Sequence, residues 1–288
     1  MALDNVSSIL KIGSPISSYK LLLMQGALSR PRYRAMFLAL LQPFVKHGQI
    51  QVRYRCYNRV VKSLIRISDM ESDFYTTREL AVNDVYGLDF AFHPDLVIDG
   101  GGNIGMFTLR AAAGLEAEGH APVRFVIYEP VPQNLEQIRE HLTLNGVQAE
   151  VVGACLGGTP RNIPFYCREA NQGSFDPAKP YASVMVIPVM PLRDAIGPGA
   201  AERILIKLDI EGMEVEALST FIPLEHRAVY LVGELHDVSR NAPLMEELFR
   251  SHGWTLELHG IANDTCTFRG CSPAALPLLP SMASVAQR

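Results

Sequence analysis

The sequence predicts an α/β fold, a mainly parallel sheet with helices on both faces, behind a helical and β-hairpin extension. Two observations carry this. Between residues 94 and 270 short apolar runs alternate with helical patterns, and several runs end in an acid: Leu96-Val97-Ile98 in Asp99, Phe125-Val126-Ile127-Tyr128 in Glu129, and Ile204 to Leu208 in Asp209. The first of these junctions also carries a glycine cluster, at the place where open α/β sheets bind ligands.

The elements follow in chain order. Pro31 suits a helix start, and Met36, Phe37, Leu40, Leu41 and Phe44 make an apolar stripe at helical spacing that ends at Gly48. Ile50 to Cys56 and Val60 to Ile67 read as two strands around Tyr57-Asn58-Arg59. After the first core strand a helix is expected from about Ile104 to Glu116. After the second, one is expected from Gln133 to Leu144, stopped by Asn145-Gly146. Val151-Val152 is a third strand, and Arg161 to Val189 reads as less regular. Ile204 to Leu208 is the fourth strand, and Val229 to Val232, ending at Glu234, the fifth. Met245 to Ser251 is helical, and Trp254 to Leu258 with Thr265 to Phe268 reads as a closing hairpin. Three regions result: an N-terminal extension (1–93) of helices and hairpin, a ligand-binding domain (94–270), and a Pro-, Ala- and Ser-rich tail (271–288) that looks loosely held.

Length and charge bound the function. The chain has 288 residues, long for one minimal domain and short for two. Apolar residues make up 48% and charged ones 19%, with a net charge of -4. That balance disfavours general nucleic-acid binding, which needs clustered Lys and Arg. Cys56, Cys155, Cys167, Cys266 and Cys271 fit neither a disulfide framework nor a C-x-x-C metal site. Buried thiols in a reducing cytoplasm are the expectation. No signal peptide is visible, and Ala35 to Val45 is too short an apolar stretch to span a bilayer.

Asp99-Gly100-Gly101-Gly102-Asn103-Ile104-Gly105 fits two templates. Gly100, Gly102 and Gly105 satisfy G-x-G-x-x-G, the dinucleotide fingerprint. Asp99, Gly101, Asn103 and Gly105 satisfy D-x-G-x-N-x-G, a methyltransferase pattern. A dinucleotide would bring an anionic pyrophosphate to the helix N-terminus, and Asp99 would repel it. S-adenosylmethionine carries a sulfonium and an ammonium and no phosphate, so an acid there is favourable. The glycines let backbone approach the ligand closely. Glu129 is the expected acceptor for the ribose hydroxyls, a role shared by both ligand classes.

Four segments then carry a resemblance: Val97 to Gly105; Tyr128-Glu129-Pro130-Val131-Pro132-Gln133-Asn134 with Leu144-Asn145-Gly146; Ile206-Lys207-Leu208-Asp209-Ile210-Glu211-Gly212-Met213-Glu214; and Val232-Gly233-Glu234-Leu235-His236. Over residues 94 to 240 the sequence resembles the FkbM-type family of S-adenosylmethionine-dependent methyltransferases. The resemblance implies a Rossmann-like class I methyltransferase sheet, S-adenosylmethionine as cofactor and no metal. It also implies O-methylation of a hydroxyl on a sugar, glycolipid, polyketide or peptide-derived natural product. Carried onto this chain, the cofactor contacts are Asp99, Gly101, Asn103, Gly105, Glu129 and Pro130, with Ala154 and Cys155 after the third strand. There the family often has an acid shortly after the alanine. Ala154-Cys155-Leu156-Gly157-Gly158 has none, which leaves the contact to the adenine amino group to backbone or another loop.

Asp209, Glu211, Glu234 and His236 are the catalytic candidates, because charges at strand C-terminal ends face the cleft in this architecture. His236 is the expected base, since free imidazole titrates near neutral pH. Glu214 reads as a helix-start acid favoured by the dipole. Arg53, Arg55, Arg59, Lys62 and Arg66 read as a solvated basic face or as contacts to an anionic acceptor, and His141 as surface or packing. Ser72 to Glu79 could close over the cofactor. The rival functions are a nicotinamide-dependent oxidoreductase and a catalytically silent Rossmann-like binding module. The partner expected is a small- to medium-sized hydroxyl-bearing acceptor, with no nucleic acid and no membrane span.

Overall fold

The computed structural model describes residues 49–283, apart from 121–122, 168–172, 176, 179–180 and 198–200. The helix expected on Pro31 and its apolar stripe lie outside the described residues. In chain order the elements are β1 (Gln49–Cys56), β2 (Arg59–Arg66), α1 (Met70–Thr76), a π-helical turn (Thr77–Asn83), β3 (Leu96–Gly100), α2 (Met106–Ala117), β4 (Arg124–Tyr128), α3 (Pro132–Asn145) and β5 (Glu150–Val152). Then come β6 (Cys155–Gly157), β7 (Arg161–Cys167), β8 (Gly173–Ser174), β9 (Ser183–Pro191), α4 (Leu192–Ala195), β10 (Arg203–Leu208), α5 (Glu214–Phe221), β11 (Ala228–His236), α6 (Val238–Ser251), β12 (Thr255–Ala262), β13 (Thr265–Cys271) and α7 (Pro280–Ala283).

The main sheet has seven strands in the order β12-β13-β11-β10-β3-β4-β5. Strands β11, β10, β3, β4 and β5 are parallel, and β13 runs antiparallel to both neighbours. This is the mixed seven-stranded order typical of class I methyltransferases. Every residue of β3 is buried, as both-face burial of a central parallel strand requires. Alternate residues feed two apolar layers. Ile98, Tyr128, Ile206 and Leu231 face one, and Val97, Ile127, Leu205 and Tyr230 the other. Pro132 opens α3, and Gly146 closes it at φ 63°, as the Asn145-Gly146 pair suggests.

Three expectations are corrected. The stretch expected to be less regular, Arg161 to Val189, holds strands among its described residues: β6, β9, β7 and β8 form a second sheet in that order. Its signal was masked because β9 is apolar on both faces, with Ile187 and Val189 buried and Val184 and Val186 exposed, while Pro164 and Pro188 interrupt the strand pattern. The fifth core strand runs on to His236, and α6 begins at Val238 rather than Met245. The described part of the tail is not loose. Ala275, Leu279 and Met282 are fully buried. The Ser272 hydroxyl accepts from Val229 N–H and donates to the Arg227 carbonyl, both at 2.9 Å, clasping β11.

The hairpin is fastened to α3 by side chains that satisfy the edge of β2. His141 is fully buried. Its Nδ1 donates to the Ile104 carbonyl at 2.6 Å, and its Nε2 accepts from Leu64 N–H at 2.7 Å. Asn145 pairs with Lys62 through both backbone groups, at 2.8 and 2.7 Å. Arg66 is bound to the buried carboxylate of Asp73 and to Asn134, and Arg59 to Glu116 and the Asn145 carbonyl. Two members of the basic hairpin are therefore committed to internal pairs. Among the described residues no helix is long and apolar enough to cross a membrane, and the five cysteines are free.

Burial holds the His141 imidazole below its ordinary range, so the fold keeps it neutral. Above about pH 6.5 both folded and unfolded rings are neutral and the full contribution is present. As pH falls through that value the unfolded chain takes up a proton that the folded one refuses, and stability is lost. His141→Ala is expected to cost about 1–3 kcal/mol near neutral pH by orphaning the Leu64 and Ile104 groups. Urea unfolding at roughly pH 7.5 and pH 5.5 should show a smaller acid loss in the variant than in the parent.

Candidate functional site

The site is built from the C-terminal ends of four adjacent strands. β10 lies in register with β3, so that Lys207 sits opposite Asp99. Lys207 is almost wholly buried. Its ammonium donates to the Gly101 carbonyl and lies 3.4 Å from Asp99 Oδ1 and 3.8 Å from Asp209 Oδ2. Thr108 donates to the other Asp99 oxygen at 2.8 Å. The glycine loop is thus tied from beneath by a buried ion pair.

Gly101 has φ 75°, and a Cβ built there would lie 1.8 Å from the Asp209 carbonyl oxygen. The glycine is demanded by the chain's own β10 turn, where the sequence reading invoked ligand approach. Asn103 is left-handed at φ 48°. Its N–H then points at Glu129 and donates to Oε2 at 2.8 Å. Val131 N–H donates to Oε1 at 2.9 Å, and the Asn134 amide lies 3.4 Å from the same oxygen. Burial outweighs these bonds and pushes the Glu129 carboxyl up to about 7.

These groups border a cleft lined by Gly101, Asn103, Glu129 to Val131, Asn134, Cys155, Phe165, Gly173, Phe175 and Asp209 to Glu211. Among the described lining residues three are acids and none is Lys, Arg or His.

Beyond Asp209 the strand ends form an acidic chamber. Glu214, fully buried at the start of α5, accepts from Ile210 N–H at 3.0 Å, Gly212 N–H at 3.2 Å and His236 Nδ1 at 3.1 Å. The other edge of the imidazole lies 4.0 Å from Asp209 and 3.8 Å from Glu211. Burial alone would lower His236, but the Glu214 hydrogen bond and the charges of Glu214, Asp209 and Glu211 push it up to about 10. His236 is therefore an imidazolium at neutral pH. At the position where a base is expected, three carboxylates converge on the ring and favour its protonated form. Glu234, two residues earlier, is raised by burial and by Asp209. Tyr86 donates to Asp209 Oδ2 at 3.1 Å, and Glu79 is raised by burial with Asp209 contributing. Glu211 and Asp237, at the ends of β10 and β11, are left-handed at φ 58° and 50°, a clustering of non-glycine strain typical of functional sites.

The cleft thus brings together Gly101, Asn103, Glu129, Pro130, Cys155, Asp209 and Glu211 of the expected residues, with His236 and Glu234 beside Asp209. Asp99, Gly105 and Ala154 stand behind the lining, buried. Asp99 acts on the loop through Lys207, and Gly105 opens α2 at φ 82°. Sequence reasoning missed Tyr86, Phe165 and Phe175, which no motif announces, and took Glu214 for a dipole acid. The shared K-x-D-x-E-G-x-E segment was the available signal for Lys207 and Glu214. Among the described residues no group of three or more His, Cys, Asp or Glu is disposed to hold a metal ion.

No protein-family model and no curated protein matches the chain. Solved structures do align with it. The methyltransferase FkbM from Methylobacillus flagellatus KT is 19% identical with a TM-score of 0.39, covering 70% of this chain and 53% of its own. The precorrin-6y C5,15-methyltransferase from Geobacter metallireducens GS-15 is 14% identical with a TM-score of 0.37, covering 61% and 78%. A T. thermophilus 16S rRNA methyltransferase in complex with AdoMet and guanosine is 10% identical with a TM-score of 0.40, covering 77% and 50%. The chain spans about half the length of the first and third of these.

Two outcomes follow from the site's electrostatics. Lys207→Met should lower stability by about 3–5 kcal/mol, because it strands a buried carboxylate. Adding Asp99→Asn should recover part of that loss in denaturant unfolding. Nitrogen chemical shifts should show the His236 ring protonated from about pH 6 to pH 8. A midpoint near the ordinary imidazole value would dismiss the carboxylate cage.

Proposed function

We propose that the chain is an S-adenosylmethionine-dependent methyltransferase acting on a hydroxyl of a small or medium-sized acceptor. A sugar, glycolipid, polyketide or peptide-derived natural product is the class implied by the sequence resemblance. One observation carries the choice of cofactor: among the described residues, the cleft over the glycine loop is lined by the three carboxylates of Glu129, Asp209 and Glu211 and by no cationic side chain. The nearby ammonium of Lys207 is buried and engaged by the Gly101 carbonyl, Asp99 and Asp209. A pyrophosphate over the loop would meet the carboxylates of Glu129, Asp209 and Glu211, which argues against a nicotinamide cofactor. A ligand with a sulfonium, an ammonium and a ribose matches the donor set.

When bound, S-adenosylmethionine supplies a methyl group activated toward nucleophiles by its sulfonium. The chain's own residues have three tasks. Glu129 accepts the ribose hydroxyls with the lone pairs left free by Asn103 and Val131. Gly101 and Asn103 hold the loop under the ligand. Asp209, Glu211 and Glu234 take the proton that a hydroxyl acceptor must shed, and orient the acceptor. The His236 imidazolium gathers Asp209, Glu211 and Glu214 around one point and keeps their charges from driving the strand ends apart.

Calorimetry with S-adenosylmethionine, its demethylated product and NAD tests the reading. Binding of the first two and not the third is expected, and binding of NAD alone would reverse it. Glu129→Ala should lose roughly 1.5–3 kcal/mol of cofactor affinity, the worth of a charge-assisted hydrogen bond. The affinity should also rise from about pH 6 to pH 8 and then level off. Glu129 must be ionised to accept from both hydroxyls, and the free carboxyl is held at about 7. Labelled methyl transfer into a metabolite extract finds the acceptor. With it in hand, Asp209→Asn or Glu234→Gln should cost roughly 10²–10⁴ in turnover if that residue is the base.

A further inference from the structure

Asp209 is held by its backbone and by one oxygen of its side chain. Its N–H donates to the Gly100 carbonyl at 3.1 Å, and its own carbonyl lies against Gly101. The end of β10 thus fixes where the side chain starts. Oδ2 accepts from the Tyr86 hydroxyl at 3.1 Å and lies 3.8 Å from the Lys207 ammonium. Oδ1 lies 4.0 Å from His236 Nε2, beyond hydrogen-bond reach of that ring. Asp209 also lines the cleft.

The extension delivers Tyr86 to this contact. The π-helical turn is capped by Asp84, left-handed at φ 49°. Gly87 N–H then donates to the Asp84 carbonyl at 2.9 Å and closes a four-residue turn. Arg110 of α2 anchors that turn through the Asp84 carboxylate at 2.9 Å. The Tyr86 ring, nearly fully buried, meets Phe107 of the same helix edge to face, with centroids 6.0 Å apart. Burial, with the charges of Asp209 and Glu234, holds the phenol well above its ordinary range. The hydroxyl therefore keeps its proton at neutral pH and acts as a donor.

We infer that Tyr86 is a positioning residue that fixes Asp209 as the base, with Oδ1 as the oxygen that takes the acceptor's proton. This rests on the proposed methyl transfer to a hydroxyl, and selects one acid from those at the strand ends. An untethered carboxylate rotates broadly about its last bond. With Oδ2 held by a phenol and an ammonium, Oδ1 keeps one direction. The hydroxyl proton passes to Oδ1, and the acceptor oxygen keeps the bonding pair with which it attacks. A misplacement of about 1 Å costs roughly 10²-fold in such a reaction, so a fixed oxygen outweighs an additional mobile acid.

Tyr86→Phe in the full chain tests it, because the ring and its contact with Phe107 remain. The Asp209 carboxyl is followed by carbon-13 resonance of labelled aspartate, its signal identified by its loss in Asp209→Asn. Removing a donor to the ionised form should raise its titration midpoint by about one to two pH units, the worth of one hydrogen bond to a carboxylate. Labelled methyl transfer into the metabolite extract should slow by about 10- to 100-fold, and the acid limb of its pH profile should move up by the same amount. In the Asp209→Asn background Tyr86→Phe should cost nothing further. An unmoved midpoint and acid limb would overturn the assignment, as would a full Tyr86 effect in the Asp209→Asn background. Failure of the parent to bind S-adenosylhomocysteine in calorimetry would instead overturn the cofactor reading, on which the titration does not depend.

Discussion

The buried ammonium of Lys207 is the constraint on which the site depends. A charge out of water is costly unless it is paired and hydrogen-bonded. Lys207 meets that cost with Asp99, Asp209 and the Gly101 carbonyl. Those three groups belong to the end of β3, the end of β10 and the loop between β3 and α2. Satisfying one cation therefore sets the spacing of two central strands and the height of the loop above them. The contact between Gly101 and the Asp209 carbonyl sets the same spacing sterically, since no side chain fits between them. From there the geometry propagates. The loop places Asn103 in the left-handed region, which turns its N–H to Glu129 and orients the carboxylate that borders the cleft.

Electrostatic tension is the second organising feature. Glu129 and Glu234 are both held above the usual carboxylate range, the first by burial and the second by burial with Asp209 as neighbour. The His236 imidazolium relieves part of this by standing among Asp209, Glu211 and Glu214. Such a cleft binds a proton more readily than it should, and a cationic ligand competes for the same favourable interaction. Binding of a cation and ionisation of the carboxylates then reinforce one another, because each lowers the cost of the other. A pyrophosphate would act in the opposite sense and force the carboxyls toward neutrality.

The βα core was legible because both-face burial writes continuous apolar runs, and because each run ends in a charged residue that must stay at the rim. β3, β4 and β10 follow directly from that rule. The second sheet was not legible. Phe165 and Ile187 are buried, but exposed Val184 and Val186 lie beside them, so neither alternation nor a continuous run stands out. His141 was opaque for another reason: its role is to satisfy Leu64, which lies 77 positions away, and no local pattern encodes that. The position of His236 at a strand end was readable. Its protonation state was not, since it is set by Glu214, Asp209 and Glu211, whose approach depends on how the turn after β10 folds. Asp99 was recognised as part of the motif, but its pairing with Lys207 beneath the loop was not.

The same distinction bears on how the acceptor side is made. The loop, Glu129, Asp209 and Glu211 all come from strand ends of the core, where register and burial leave little freedom. Tyr86 reaches Asp209 from the segment between the π-helical turn and β3. Tyr75, mostly exposed, hydrogen-bonds Glu79 beside the same carboxylates. These side chains belong to the N-terminal extension, where helix and loop carry no repeating constraint from the sheet. Residues that hold the loop are fixed by strand register and burial, while Tyr75 and Tyr86 are placed beside the carboxylates by the extension. Fold and cofactor chemistry are written into the strand ends. The motif that announces the cofactor chemistry carries no information about an acceptor, because function resides in the site and not in the fold.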